Sequence, residues 1–191
     1  MNQEELDKEW DVSAALPIRR ARTFDQARAV SQEFRGRDLV NRATGLAARV
    51  SNNSLGKMLH EKAVGKSESP AAHAMAVANL DGLYERAALG WSKPDVRGDA
   101  NFAAIHRFFA PFLAEGRAYL AKITVLEMAD GVTPNRIYSV ESVGLNEKSP
   151  SAPWVAASAD ADGISLTSTR SAGDILSLAQ KVQDYNAERR R

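Results

Sequence analysis

Residues 105–143 read IHRFFAPFLAEGRAYLAKITVLEMADGVTPNRIYSVESV and carry the clearest pattern in the chain. Three runs in this stretch are enriched in Ile, Val, Phe, Tyr and Thr, namely residues 105–109, 117–126 and 136–143. Two turn segments, 111–116 and 130–135, separate the runs, and each contains a glycine and a proline. Such runs suit a half-buried pleated surface, and short connections join antiparallel neighbours. The stretch therefore predicts a three-stranded antiparallel meander at about residues 104–144.

Helix signals precede the meander. Thr23 is a good N-cap for a helix that reaches about Phe34, and Gly36 suits its C-terminal end. Ser51 can begin a second, short helix. A third helix has the strongest signals, because Ser69 can cap it and Pro70 suits the first helical position. The alanine-rich segment 71–89 predicts one continuous helix that Gly90 ends, with an exposed loop over residues 91–101.

The remaining segments complete the expected architecture. Residues 39–42 and 46–50 are short apolar runs around Ala43-Thr44-Gly45, which predicts a small β-hairpin. A last helix is expected at about residues 172–187, after a polar segment at 147–170. Residues 1–22 form a polar lead-in with a candidate edge strand near its end. The prediction is a single α+β domain over residues 23–188, in which N-terminal helices and the hairpin pack on the C-terminal antiparallel meander, with a final C-terminal helix.

Composition excludes several classes of protein. The chain has no cysteine, so disulfide bridges, thiolate catalysis and cysteine-ligated zinc are ruled out. No run approaches the roughly 20 apolar residues of a membrane span. The first eleven residues are acidic and lack the apolar core of a secretory signal. We therefore expect a soluble protein that works in the cytoplasm and has no membrane partner.

Positive charge is concentrated near the N-terminus, although the net charge of the whole chain is only +1. Residues 15–60 contain nine Arg and Lys residues against three acidic ones: Arg19, Arg20, Arg22, Arg28, Arg35, Arg37, Arg42, Arg49 and Lys57, against Asp25, Glu33 and Asp38. Such a block can neutralise phosphates and release counterions, as nucleic-acid-binding proteins do. It is equally typical of a solvated surface that the acidic N-terminus balances.

Two of the three histidines are candidate catalytic residues. His106 and Arg107 lie in IHRFFAP at residues 105–111, where a histidine among aromatic residues could act as general acid or base beside a phosphate-binding arginine. Strand alternation nevertheless places His106 and Arg107 on opposite faces, and His106 could simply end a strand. His73 lies in the first turn of the predicted third helix, where the helix dipole favours a neutral imidazole. A plain helix-surface histidine explains it as well.

Polar residues in two further segments could contact a substrate. The segment Val50-Ser51-Asn52-Asn53-Ser54-Leu55-Gly56-Lys57 turns from a strand into a helix. Amides and hydroxyls at a helix start, among them Ser51, Asn53 and Ser54, bind phosphate oxygens, and Lys57 could neutralise developing charge. On the last strand, Tyr138 could stack on a base while Ser139 contacts a phosphate. The alternatives are a simple N-cap at Ser51 and cross-strand packing of Tyr138.

These segments together resemble a known family. LVN at residues 39–41, ATG at 43–45, RVS at 49–51, Lys57, His73, IHRFFAP at 105–111, YLAKITV at 119–125 and RIY at 136–138 occur in the order found in it. The chain is similar over about residues 35–145 to the large polyvalent-protein-associated domains of bacteriophages and conjugative elements. It also resembles the phage barnase/EndoU/colicin/RelE-like nucleases.

The resemblance implies a phage-derived effector that cuts RNA without a metal or other cofactor. A ribose 2′-hydroxyl would attack the neighbouring phosphodiester and leave a cyclic phosphate. The resemblance assigns His106 as acid or base, Lys57 and Arg107 as charge-stabilising residues, and His73 as part of the pocket. Ser51, Asn53, Ser54, Ser139, Tyr138 and Arg49 would bind the substrate. RNA or another nucleic acid is the expected partner, with an immunity or host target protein as a further one.

Two other functions compete with this prediction. One is a non-catalytic binding module of a phage or mobile-element polyvalent protein that acts on a host protein or nucleic acid. The other is a nucleotide-dependent transferase of the ADP-ribosyltransferase type, which would use Arg107, the Thr167-Ser168-Thr169 run and Glu188. The strand context that the transferase needs around residues 167–169 is missing.

Overall fold

The α+β prediction is confirmed by a computed structural model, which describes residues 19–94, 100–144 and 170–189. Six strands form one sheet in the order β1-β2-β6-β5-β4-β3. The strands are β1 (Leu39–Val40), β2 (Ala47–Arg49), β3 (Ala88–Pro94), β4 (Phe102–Ala114), β5 (Arg117–Met128) and β6 (Asn135–Gly144). The helices are α1 (Phe24–Ser31), α2 (Asn52–Met58), α3 (Glu61–Val64), α4 (Pro70–Ala78), α5 (Leu80–Arg86) and α6 (Arg170–Glu188).

The meander forms the centre of the sheet. Strands β4, β5 and β6 pair antiparallel with their neighbours, and β4 and β5 stay in register from Ala104 to Ala114. Their hairpin turns at Glu115 and Gly116, whose φ angles of 52° and 74° lie in the left-handed region. The β1-β2 hairpin adds to the outer edge of β6, because β2 runs parallel to it and pairs Arg49 with Arg136. The predicted meander and hairpin are both present, but β4 continues through Pro111 to Ala114, so the first turn is shorter than the predicted segment 111–116.

The sheet has apolar residues on both faces. On one face, Phe108, Phe112 and Ile123 belong to a large core with α1, α2, α4 and α5. On the other face, Phe109 and Leu120 pack with Leu178 and Val182 of α6. Consecutive residues such as Phe108 and Phe109 are thus buried on opposite sides, because side chains alternate along a strand. The last helix therefore covers the face that the N-terminal helices leave open.

The predicted helix starts are confirmed by their capping hydrogen bonds. The Thr23 hydroxyl accepts a hydrogen bond from the amide of Gln26. The Gln26 side chain in turn accepts from the amide of Thr23, which completes a capping box. The Ser51 hydroxyl accepts from the amide of Ser54, and the Ser69 hydroxyl accepts from the amide of Ala72 with Pro70 at the first helical position. Side-chain oxygens satisfy otherwise unpaired amides at each start, which is why these boundaries were readable from sequence.

The prediction for residues 71–101 was wrong in two respects. Instead of one helix to Leu89, the chain forms α4 and α5 with a break at Asn79, whose side chain donates to the carbonyls of Met75 and Arg19. The sequence also predicts that the helix ends at Gly90 and that a loop follows it. Residues 88–94 form strand β3 against β4 instead. Helix propensity is a weak preference, and pairing with the long β4 strand overrides it. The sheet therefore gains a fourth antiparallel strand next to β4.

Some predictions fall outside the described residues. These are the lead-in with its candidate edge strand before residue 19, the polar segment up to residue 169 and the Thr167-Ser168-Thr169 run. The predicted C-terminal helix is present as α6. Within the described parts of the chain, no helix is long and apolar enough to cross a bilayer.

Candidate functional site

Two predicted site residues that are far apart in sequence come together at the surface. The ammonium of Lys57, on α2, lies 4.7 Å from the centroid of the Tyr138 ring on β6. Helix α2 packs against β6, which brings the two residues together. Tyr138 is 40% exposed, and the Lys57 ammonium lies over its ring. The contact is a cation–π pair at an exposed site.

The start of α2 adds polar groups to the same helix. The Ser51 and Ser54 hydroxyls lie 3.0 Å apart, and Ser51 caps the helix, so both groups are engaged in the local structure. Asn53 is exposed beside them. Arg35 donates a hydrogen bond to the side-chain oxygen of Asn52. We name Arg35, Asn52, Asn53, Lys57 and Tyr138 the basic–aromatic surface.

Part of the N-terminal positive block is neutralised within the protein. Arg19 pairs with Glu33 at 2.9 Å and with Asp81 at 2.8 Å. Arg49 donates two hydrogen bonds to Asp38 and holds the pKa of that carboxyl below its usual value. Arg42 approaches Glu85. Six residues of the block form no ion pair with a carboxylate in the described parts of the chain: Arg20, Arg22, Arg28, Arg35, Arg37 and Lys57.

His73 is buried and has no exposed surface. Its Nε2 donates to the carbonyl of Met58 at 2.7 Å, and its Nδ1 lies 2.8 Å from the Ser67 hydroxyl. Burial lowers the pKa of His73, because the charged imidazolium would lose its hydration. The residue therefore links α4 to the end of α2 as a neutral ring and is separated from the basic–aromatic surface.

His106 and Arg107 lie on opposite faces of the sheet, as alternation requires. His106 shares a face with Phe108, with their rings 6.4 Å apart. Arg107 instead lies over the Trp91 ring at 5.6 Å on the other face, and burial lowers its pKa. Ser139 also lies on the Arg107 face, where its hydroxyl is 2.8 Å from that of Thr124. Arg107 and Ser139 therefore do not share a pocket with His106.

Two partners of His106 were missed at the sequence level. Its Nδ1 lies 2.7 Å from the Ser92 hydroxyl, and its Nε2 lies 3.0 Å from a carboxylate oxygen of Glu127. The sequence pattern predicts a loop at Ser92, and a loop residue has no register that pairs it with His106. A predicted strand at residues 88–94 would have placed the two residues side by side, because Ser92 pairs with His106 in the register of β3 and β4.

An open groove of about 400 Å³ lies where β5 ends and β6 begins. Its walls include Glu127 together with Asp38, Arg49, Thr133 and Asn135. The side chain of Glu127 is 40% exposed, whereas that of His106 is only 11% exposed. The His106–Glu127 pair therefore reaches solvent mainly through the carboxylate, in a groove that also contains the predicted substrate-binding residue Arg49.

The described residues offer no metal centre. In residues 19–94, 100–144 and 170–189, His, Asp and Glu side chains do not gather in groups of three that could hold an ion. The candidate functional groups described above are cations, exposed amides, an aromatic ring and a histidine–carboxylate pair.

Comparison with known proteins places the chain in a family. A model of the large polyvalent protein-associated domain 3 matches residues 20–138. Neither the curated proteins nor the solved structures contain a match to the chain. The matched residues include α1 to α5, β1 to β5 and the basic–aromatic surface. The chain belongs to the large polyvalent protein-associated domain 3 family.

Proposed function

We propose that this domain binds single-stranded nucleic acid, with RNA as the main ligand, at the basic–aromatic surface. The observation that carries the proposal is the Lys57 ammonium over the half-exposed Tyr138 ring, at 4.7 Å. A nucleobase stacks on an exposed aromatic face, while neighbouring cations attract the phosphates. Arg35 and Lys57 supply the cations, and Asn52 and Asn53 supply amides.

The chemistry favours single strands over duplexes. The bases of a duplex are stacked on one another, so a tyrosine ring on the protein surface has no free base face to contact. An unpaired strand offers both a π-face and a flexible backbone, and stacking tolerates any base. We therefore expect weak sequence preference and strong salt dependence.

Fluorescence anisotropy with a short labelled single-stranded RNA tests the proposal. Tyr138→Ala should weaken binding by about 1–3 kcal/mol, or roughly 5- to 150-fold, because that is what one stacked base contributes. Tyr138→Phe keeps the ring and should retain most of the affinity. Lys57→Gln should also weaken binding.

Arg189→Gln provides the matched control. Arg189 lies over the Tyr185 ring at 5.3 Å, so it forms a similar cation–aromatic pair at the C-terminal end of α6, the helix that covers the other face of the sheet. This variant should bind RNA like the wild type. Equal affinity in wild type and Tyr138→Ala, or no RNA binding at all, would refute the proposal and leave a host protein as the ligand to test.

Cleavage of the bound RNA is a second candidate function, and the His106–Glu127 contact favours it. A histidine and a carboxylate 3.0 Å apart can act as an acid–base pair, in which one group takes the proton of the attacking 2′-hydroxyl and the other gives a proton to the departing 5′-oxygen. We expect cleavage in EDTA that leaves cyclic phosphate ends and is lost in His106→Ala. RNA that stays intact with the wild-type protein would exclude this activity without affecting the binding proposal.

A further inference from the structure

Ser92, His106 and Glu127 form a hydrogen-bonded chain across three neighbouring strands. Ser92 lies on β3, His106 faces it on β4, and Glu127 lies on β5. The hydroxyl is 2.7 Å from Nδ1, and the carboxylate is 3.0 Å from Nε2 of the same ring. If Glu127 accepts the Nε2 proton, Nδ1 is left with a lone pair that accepts the hydroxyl proton of Ser92. The arrangement therefore directs the serine proton towards a base.

Ser92, His106 and Glu127 differ in burial and in their access to solvent. His106 is 9% exposed, so its hydrogen bonds are shielded from competing water. Ser92 is half-buried on β3, which lies at one edge of the six-stranded sheet. Glu127 opens into the groove at the end of β5. A substrate can thus approach the serine from the sheet edge, while the carboxylate orients the ring from the opposite side.

We propose that Ser92 is the nucleophile of a hydrolase site for uncharged carboxylic esters, with His106 as its base and Glu127 as the residue that orients His106. This activity goes beyond nucleic-acid binding, because it needs no nucleic acid. The apolar neighbourhood of the pair favours an uncharged substrate, since the buried ring of Phe108 lies 6.4 Å from that of His106 and Leu89 is partly buried against the same core. An unactivated serine is a weak nucleophile, and an adjacent oriented histidine is the usual means of activating it.

The reaction balances with water as the only co-reactant. The Ser92 oxygen bonds to the ester carbonyl carbon while its proton moves to Nδ1 of His106. That proton then passes to the departing alcohol oxygen as the carbon–oxygen bond of the ester breaks. Water next attacks the acyl-serine and gives a proton to Nδ1, which returns it to the serine oxygen as the acid is released. Glu127 stabilises the imidazolium in both steps.

Labelling of the full chain with a fluorophosphonate probe tests this proposal. The expected result is one adduct per chain by intact-mass spectrometry, located on Ser92 by peptide mapping. Ser92→Ala should abolish the adduct. His106→Gln should slow labelling by about 100-fold or more, which is the usual contribution of a general base, and Glu127→Gln should slow it as well.

Ser67→Ala is the matched control. The Ser67 hydroxyl also lies 2.8 Å from Nδ1 of a histidine, but that ring, His73, is buried and donates its Nε2 proton to a backbone carbonyl instead of a carboxylate. This variant should label like the wild type, and circular dichroism shows whether each variant is folded. No adduct on the folded wild type, or an adduct that persists in Ser92→Ala, would overturn the proposal. RNA binding would survive Ser92→Ala, so failure here is separable from failure of the proposed function.

Discussion

At the scale of single residues, His73 shows how burial decides the role of a titratable group. At the start of α4 its sequence position suggested a surface base, yet the ring is sealed between Ser67 and the Met58 carbonyl. Removing it would leave a buried carbonyl without a donor, which costs about 1–3 kcal/mol. The residue holds two helices together.

The lowered pKa of His73 predicts a pH-dependent stability. Its folded pKa lies below the ordinary value near 6.5, so the unfolded chain binds the proton more readily. The stabilisation is therefore complete above about pH 6.5 and declines as the pH falls below that value. Urea unfolding at a series of pH values between roughly 7.5 and 5 should show this decline.

His73→Gln should flatten that part of the stability profile, because the glutamine amide can still donate to Met58 but does not titrate. His60→Gln is the control, since His60 is exposed. It should leave the decline unchanged. A profile of equal slope in wild type and His73→Gln would contradict this account.

At the scale of elements, β3 depends on a glycine that the sequence suggested was a helix stop. Gly90 is buried at the irregularity in the pairing of β3 with β4. A Cβ at this position would lie 2.4 Å from Cε2 of Phe109 and 2.8 Å from its Cδ2. Phe109 is itself only 2% exposed and has little room to move.

Gly90→Ala should therefore destabilise the protein by about 1–3 kcal/mol through overpacking. The control is Gly82→Ala within α5, where a Cβ would meet nothing within 4 Å. That change should stabilise the fold by up to about 1 kcal/mol, because alanine is the better helix former. Chemical denaturation distinguishes the two effects by their opposite signs, and a neutral Gly90→Ala would refute the packing argument.

Another element-level contact ties the β1-β2 hairpin to α5. Buried Asn41 donates to the carbonyls of Tyr84 and Ala87, both at 2.8 Å, and accepts from the amide and hydroxyl of Thr44. Asn41→Ala should cost about 2 kcal/mol or more, because two buried carbonyls lose their donor. Exposed Asn53→Ala should stay within about 0.5 kcal/mol of the wild type in the same denaturation experiment. Similar midpoints for both variants would contradict this assignment.

At the scale of the whole molecule, some cations of the described residues have a carboxylate partner and others have none. Arg19, Arg42 and Arg49 have carboxylate partners, whereas Arg35 and Lys57 lie on the basic–aromatic surface without one among the described residues. The nearly neutral total of +1 hides this local excess. Attraction for nucleic acid depends on the local field, so the domain can bind phosphates despite its small net charge.

The salt dependence of RNA binding should report this distribution. Each cation that contacts a phosphate contributes about 0.7 to the slope of log K against log salt for a single strand. Arg35→Gln and Lys57→Gln should each lower the slope by about that amount, and Arg189→Gln should not. If the slope is unchanged in the first two variants, the phosphates do not contact Arg35 or Lys57.

The amino-acid sequence determined the features that depend on neighbours along the chain. Helix starts at Thr23, Ser51 and Ser69, the second turn of the meander and the alternation of His106 and Arg107 all follow from local hydrogen bonds and strand geometry. The final helix followed from its periodic apolar residues. These features were readable because their partners lie within a few residues.

Tertiary structure decided the rest. Residues 88–94 form a strand because they pair with β4. Ser92, His106 and Glu127 lie close together only because three strands pair side by side. Lys57 reached Tyr138 because α2 packs on β6, whereas His73 was sealed in the core. Such contacts join residues that are distant in sequence, so their energies depend on the assembled fold and leave no periodic signal in the chain.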